Sequence, residues 1–87
     1  MSKLHIVLIN SRMYMTADLN EFNQRLTQAK RKKHHVAEKF EYDLDKIEVD
    51  QLERLQSFIA QKDVVCTKSA VEAIKAESAR REEDKFD

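Results

Sequence analysis

Two adjacent histidines and a nearby glutamate are the residues of this chain that come closest to a metal site. On a helix, His34 and Glu38 would share one face at a spacing of four residues, whereas His35 would point about 100° away from His34. A third ligand is missing nearby in the sequence, and a zinc site needs three or four. We interpret these residues as part of a solvated basic helix end, and we expect no metal and no cofactor.

Other catalytic arrangements need residues that the sequence does not provide together. The chain contains no Gly, and oxyanion holes and phosphate-binding loops usually depend on Gly-rich backbone. Its one cysteine, Cys66, follows two valines and is interpreted as a small apolar residue. A single cysteine excludes an intrachain disulfide and fits a reducing, cytoplasmic compartment. We therefore expect a protein that is not an enzyme.

Charge is distributed unevenly along a chain whose formal net charge is zero. Residues 22–37 contain five basic residues and no acidic one, and residues 38–53 contain seven acidic residues and two lysines. One interpretation is that the two segments neutralise each other in the fold, through Glu38, Glu41 and Asp43. The other is that the basic segment stays free to bind a partner.

The basic segment contains the residues that we predict to bind a partner: Arg25, Arg31, Lys32 and His35. These cationic side chains cluster without interleaved acids. An acidic protein surface or a row of phosphates would relieve their mutual repulsion. On one continuous helix, Arg25, Lys32 and His35 would lie on the side away from the apolar residues.

Composition and periodicity predict a helix-dominated chain. Ala, Glu, Lys, Leu and Arg supply 40 of the 87 residues, and Pro is absent, so nothing interrupts a helix once it has begun. A capping box at Asp18 and Glu21 predicts the start of a first helix that extends to about residue 38. An apolar seam from Leu19 to Phe40 follows the helical period.

Two further helices are predicted in the second half of the chain. A capping box that begins at Asp50 predicts a helix to about Lys62, with Val64, Val65 and Cys66 as an apolar connector. Thr67 or Ser69 caps a third helix. Beyond Ser78 the sequence is highly charged, and residues 79–87 are expected to fray.

Two other segments predict strands. Leu4–Ile9 is an almost continuous apolar run, typical of a strand buried on both faces and too short to cross a membrane. Residues 40–45 alternate apolar and acidic side chains and predict a half-buried strand with an acidic outer face, although a continued helix also fits. Asn10-Ser11 predicts a turn into a short returning strand at residues 13–15.

These elements predict a single small α+β domain spanning residues 1–87. It should have about three helices, and its short N-terminal strand or hairpin should pair with a second strand near residues 40–44.

Residues 40–79 resemble the ribbon-helix-helix repressors in the order of their elements: an alternating strand, a helix, a short turn and a helix that begins Thr67-Lys68-Ser69-Ala70-Val71. These repressors are dimers that place a paired strand in the major groove, so the resemblance implies a dimeric nucleic-acid-binding regulator. The outward strand residues would be Glu41, Asp43 and Asp45, which phosphates repel. The Gly usual in the inter-helix turn is replaced by residues 63–65.

One small core and a polarised surface favour binding over catalysis. We predict a protein-binding regulator or inhibitor, of the kind that phages or plasmids encode to act on a host system, with an acidic protein surface as its partner and no membrane contact. One alternative is a dimeric nucleic-acid-binding regulator that uses the basic first helix. Another is a structural homo-oligomer, in which the basic helix of one copy meets the acidic segment of the next. A homodimer is expected because the seam on the first helix is long for a monomer to cover.

Overall fold

The apolar run near the N-terminus forms the centre of a four-stranded sheet. In the computed structural model, which describes residues 3–84, β1 (Lys3–Ile9) lies between β2 (Arg12–Thr16) and β3 (Val36–Asp43) and is antiparallel to both. β4 (Val65–Cys66) pairs in parallel with β2, so the order is β3-β1-β2-β4. The predicted hairpin and the predicted pairing of the N-terminal strand with residues 40–44 are confirmed.

Three helices cover the two faces of this sheet. α1 (Leu19–Arg31) buries Phe22, Leu26 and Ala29 against the face of β1 that carries Val7 and Ile9. α2 (Val49–Ile59) and α3 (Lys68–Asp84) cover the other face. The residues buried together there are Leu4, Ile6, Met15, Leu44, Leu52, Leu55, Ala70 and Ile74. The chain is a small α+β domain, and β1 is buried on both faces as its sequence predicts.

The first helix is shorter than its sequence pattern predicts. Asp18 caps it as expected and accepts hydrogen bonds from the backbone N–H groups of Asn20 and Glu21 at 2.9 and 3.3 Å. In a full capping box the backbone N–H of Asp18 would donate to the Glu21 side chain, but here it donates to Thr16 Oγ1 at 3.1 Å. The prediction of a helix to residue 38 is wrong, because the chain leaves α1 after Arg31 and enters β3 at Val36. Phe40 therefore lies on a strand, and the predicted seam ends at Ala29.

The boundaries of the second helix and of its connector also differ from the prediction. The N-cap of α2 is Glu48, whose backbone N–H donates to Gln51 Oε1 at 3.4 Å, so the helix begins before Asp50. It ends at Ile59. The expected connector contains β4, whose two residues add an edge strand beside β2.

A buried polar cluster joins the start of α3 to the start of α1. Thr67 caps α3, since its Oγ1 accepts from the backbone N–H of Ala70 at 3.3 Å. Ser69 Oγ lies 3.1 Å from Oγ1 of Thr16, which is fully buried, and it accepts from the backbone N–H of Ala17 at 3.2 Å. These bonds satisfy polar groups that would be costly to bury unpaired.

The charged end of the third helix is not frayed where the structure describes it. α3 remains helical to Asp84, and residues 85–87 lie outside the described range. Glu77 is 5% exposed and accepts hydrogen bonds from Nε of Arg80 and Nε of Arg81 at 3.0 and 2.8 Å. Arg81 Nη2 also donates to the carbonyl oxygens of Leu44 and Ile47 at 3.0 and 2.6 Å. This cluster fastens α3 to the loop between β3 and α2.

The resemblance to ribbon-helix-helix repressors does not extend to the arrangement of the strand. β3 is hydrogen-bonded to β1 of the same chain and belongs to a four-stranded sheet, and β4 separates the two helices. Within one copy, residues 36–43 therefore do not form the two-stranded ribbon that such repressors place in the major groove.

Replacing Glu77 by Gln is expected to lower the free energy of unfolding by about 1.5–3 kcal/mol at neutral pH, because the hydrogen bonds from Arg80 and Arg81 lose their charged acceptor. Hydrogen bonds from Arg80 and then Arg81 hold the pKa of Glu77 below its usual range, although burial raises it. The stabilisation is therefore complete above the unfolded-state pKa of about 4.3 and disappears as pH falls through the lower folded-state pKa.

Urea unfolding at pH 7 and near pH 3 measures this difference. The matched control is Glu72→Gln on the same helix, since the Glu72 carboxylate is exposed and lies 4.0 Å from Lys68 Nζ. That change should cost less than about 0.5 kcal/mol. Equal effects of the two substitutions would contradict the prediction.

Candidate functional site

The C-terminal end of α1 is built by a helix-terminating motif that contains no glycine. Lys33 has a positive φ of 57°. Its N–H donates to the Lys30 carbonyl at 3.1 Å, and the N–H of His34 donates to the Ala29 carbonyl at 2.9 Å. This is the Schellman arrangement, in which Gly usually occupies the left-handed position. Lys33 therefore holds a strained backbone so that the chain can turn back toward β3.

The β1–β2 turn fixes the segment that follows this helix end. Asn10 and Ser11 both have positive φ, 51° and 67°, as a two-residue type I′ turn requires. The Asn10 N–H donates to the His35 carbonyl at 2.8 Å, and Asn10 Oδ1 accepts from the His35 N–H at 2.9 Å. Residues 25 positions apart in sequence are thus held together at one end of the sheet.

This geometry places the basic residues between positions 12 and 35 at one end of the molecule, which we call the basic end. Its members come from α1, from the first residue of β2 and from the segment before β3. They are Arg12, Arg25, Lys30, Arg31, Lys32, Lys33, His34 and His35.

The four predicted partner-binding residues take two different positions in the basic end. Arg31, Lys32 and His35 are exposed at the end of α1 and just beyond it. Arg25 is only partly exposed and faces the sheet, where its guanidinium carbon lies 5.7 Å from the centre of the Tyr14 ring. The predicted single helix face is therefore wrong, and three of the four residues share the outer surface.

Arg25 belongs to a cavity that sequence reasoning did not identify. Its volume is about 240 Å³, and the side chains that line it include Arg12, Tyr14, Arg25 and His34. The Nε atom of Arg25 is buried without a hydrogen-bond partner among the described residues. Arg25 is three residues after Phe22 and four before Ala29, so its spacing in the sequence already indicates the buried face of α1.

The basic end keeps its charges without intramolecular neutralisation. Among residues 3–84, none of the ion pairs within 4.0 Å involves a member of the basic end. Glu41 instead lies 3.1 Å from Lys3 Nζ, and Asp43 lies 3.9 Å from Lys46 Nζ. The interpretation in which Glu38, Glu41 and Asp43 neutralise the basic segment is therefore not what the fold adopts.

Most acidic residues of the 38–53 segment lie beyond the middle of β3, whereas Glu38 lies two residues from Val36. Val36 is paired with Ile9 beside the turn, and Asp43 is paired with Lys3 at the other end of β1. The strand rises about 3.3 Å per residue, so eight residues separate the two ends by roughly 25 Å, well beyond a Debye length of about 8 Å. Asp43, Asp45, Glu48 and Asp50, which we call the acidic end, cannot screen the basic end.

Tyr14 and Cys66 both have a raised pKa. Burial, and then the carboxylate of Glu21, which accepts from the Tyr14 hydroxyl at 3.4 Å, raise the pKa of Tyr14 to about 12. Burial also raises the pKa of the Cys66 thiol, whereas reactive thiols have a lowered pKa. His34 and Glu38 no longer share a helix face, since the helix ends before both.

Comparison with known proteins adds no family to these observations: neither a protein-family model, nor a curated protein, nor a solved structure matches the chain. Within residues 3–84, every helix is too short or too polar to cross a membrane.

Replacing Lys33 by Gly is expected to stabilise the fold by about 1 kcal/mol, because Gly removes the left-handed strain at this position. For a domain of this size, the melting temperature should rise by about 4–8 °C. Thermal unfolding followed by circular dichroism measures the change. Lys33→Ala is the matched control: it removes the same charge but keeps a Cβ, so it should give no such gain. An equal rise in both variants would assign the effect to charge and refute the backbone explanation.

Proposed function

We propose that this chain is a small non-enzymatic regulator or inhibitor that works by binding another protein, and that its basic end docks on an acidic surface of that partner. The observation that carries the proposal is the set of exposed basic side chains at residues 30–33 and 35, none of which has an ion-pair partner within the described chain. Such side chains repel one another in the free protein, and a complementary surface relieves that repulsion.

The rest of the molecule supports binding over catalysis. The pKa values of Tyr14 and Cys66 are raised, and the partly buried Glu77–arginine cluster stabilises the fold. The cavity around Arg25 offers cations at a surface opening, suited to a carboxylate of the partner rather than to a reaction. A cytoplasmic phage- or plasmid-encoded modulator of a host protein fits this description.

Nucleic acid is the second candidate, because the same uncompensated cations could contact phosphates. Two observations favour protein. The net charge of the chain is zero, and the acidic end, which a polyanion would repel, lies along the same sheet. The two candidates differ in salt dependence, since each phosphate contact adds a log–log slope of about 0.9, whereas protein association changes mainly in its on-rate.

The test compares two double variants of equal charge. Arg31→Gln with Lys32→Gln removes two members of the basic end, and Lys62→Gln with Lys75→Gln removes two exposed lysines elsewhere. Gln is preferred over Glu because a carboxylate at the end of α1 would oppose the helix dipole and cost about 0.3–1 kcal/mol. Immobilised protein is exposed to lysate of the cells that encode it, with and without nuclease treatment, and the captured partner is then purified and titrated.

The first double variant should weaken binding of that partner by about tenfold or more, with a melting temperature close to that of the parent. The control should bind like the parent. Equal binding by both variants would place the docking surface elsewhere, and capture that disappears with nuclease would transfer the proposal to nucleic acid.

A further inference from the structure

The outer edge of β3 is open along the described chain. β3 is the first strand of the sheet and pairs only on its inner side, with β1. Glu38, Lys39, Phe40 and Glu41 are consecutive exposed residues on it. An open edge presents unpaired backbone N–H and C=O groups and can accept another strand.

The side chains of this edge differ between the two faces of the sheet. Lys39 and Glu41 pair with Val7 and His5, so they lie on the face covered by α1. Phe40 pairs with Ile6 and lies on the face covered by α2 and α3, where it is 42% exposed. A register irregularity opposite Leu8 ends the regular part of the edge before Lys39.

We propose that β3 binds β3 of a second copy of this chain, antiparallel and edge to edge, about a twofold axis at Phe40. The two sheets then form one continuous sheet. The axis is perpendicular to the sheet, so each face continues into the same face of the partner. Directly opposed residues of antiparallel strands share a face, so the axis must pass between two copies of the same residue. With Phe40 at the centre, the two Phe40 rings meet, and each Lys39 lies opposite Glu41 of the other copy.

The charges on the edge select this register from its neighbours. A register centred on Lys39 places two ammonium groups opposite each other, and one centred on Glu41 places two carboxylates opposite each other. A register centred on Tyr42 places Glu41 of one copy opposite Asp43 of the other. Like charges directly across strands are destabilising, whereas opposite charges and aromatic pairs stabilise. Lys39 has no ion pair of its own within residues 3–84, so it is available for the partner's Glu41, whose carboxylate already lies 3.1 Å from Lys3 Nζ in its own copy and would be shared by the two lysines.

The same pairing also sets how the basic and acidic ends of the two copies are oriented relative to each other. Antiparallel pairing directs the Val36 end of one β3 toward the Asp43 end of the other, so the charge separations of the two copies run in opposite directions. An apolar groove of about 220 Å³ between the sheet and α2, lined by Ile6, Met13, Phe40, Leu55 and Phe58 among others, opens beside the axis. The interface is small, and association in the micromolar range or weaker is expected.

The edge of β3, and not the apolar seam of α1, is the surface from which we infer a dimer. The apolar seam of α1 is already buried on the sheet at Phe22, Leu26 and Ala29, so it offers no reason for self-association. The edge of β3 does not involve Arg31 or Lys32. Self-association should therefore survive the Arg31→Gln, Lys32→Gln double variant, and failure of either proposal leaves the other standing.

The test uses charge reversal and sedimentation equilibrium of the full chain. Lys39→Glu puts two carboxylates opposite each other at both ends of the pairing, and Glu41→Lys puts two ammonium groups there. Each variant alone should be a monomer at concentrations where the parent is a dimer. An equimolar mixture of the two should form a heterodimer, and the double variant Lys39→Glu, Glu41→Lys should recover the homodimer. Lys62→Glu controls for net charge and should dimerise like the parent.

A cross-link reports the register directly. Directly opposed residues have Cβ atoms about 4.5–5.5 Å apart, so Phe40→Cys in a Cys66→Ser background should oxidise to a covalent dimer, whereas Thr27→Cys on the exposed side of α1 should not. Circular dichroism confirms that each variant is folded. A monomeric parent at every concentration refutes the interface. A dimer that persists in both single charge-reversal variants also refutes it. The same holds if the β3 edge of the unmodified protein binds only an unrelated extended peptide.

Discussion

The fold depends on a strand that is apolar on both faces. Leu4 and Ile6 face one side of β1, and Val7 and Ile9 face the other, so the sheet must be covered twice. Helices on both sides meet this requirement, and β1 takes its antiparallel neighbours from the hairpin and from β3. Because α1 must lie across the sheet and the chain must then return along β1, the end of α1 arrives beside the hairpin turn. The position of the basic end is therefore a consequence of burying β1.

Local patterns were sufficient for the existence of most elements but not for their limits. Val36 and Phe40 are four residues apart, a spacing that places side chains on one face of a helix and of a regular strand. In β3 a register irregularity separates them, so Val36 lies opposite Ile9 and Phe40 opposite Ile6, on different faces of the sheet. The decision between helix and strand is made by pairing with β1, which a local pattern does not contain. β4 is two residues long and exists only because β2 offers an edge there. The extension of α3 depends on Arg81 reaching carbonyls 34 and 37 positions away.

The candidate site divides in the same way. Arg31, Lys32 and His35 are close in sequence, so a local charge pattern identified them. Arg12 joins them only through the contact between the hairpin turn and the residues after α1. Arg25 lies three residues after Phe22 and four before Ala29, a spacing that indicates the buried face of α1 and not the outer surface.

Three residues depart from local rules, at the end of α1, beneath α1 and on the edge of β3. Lys33 occupies a position that favours Gly, Arg25 buries an unpaired Nε, and Phe40 stays exposed on an open strand edge. Elsewhere, the polar groups of Thr16, Ser69 and Glu77 are paired, and the helices bury their apolar faces. Natural sequences keep such local conflicts mainly where function requires them. Under the proposed function and the proposed interface, binding rather than folding explains the residues at the end of α1 and on the edge of β3.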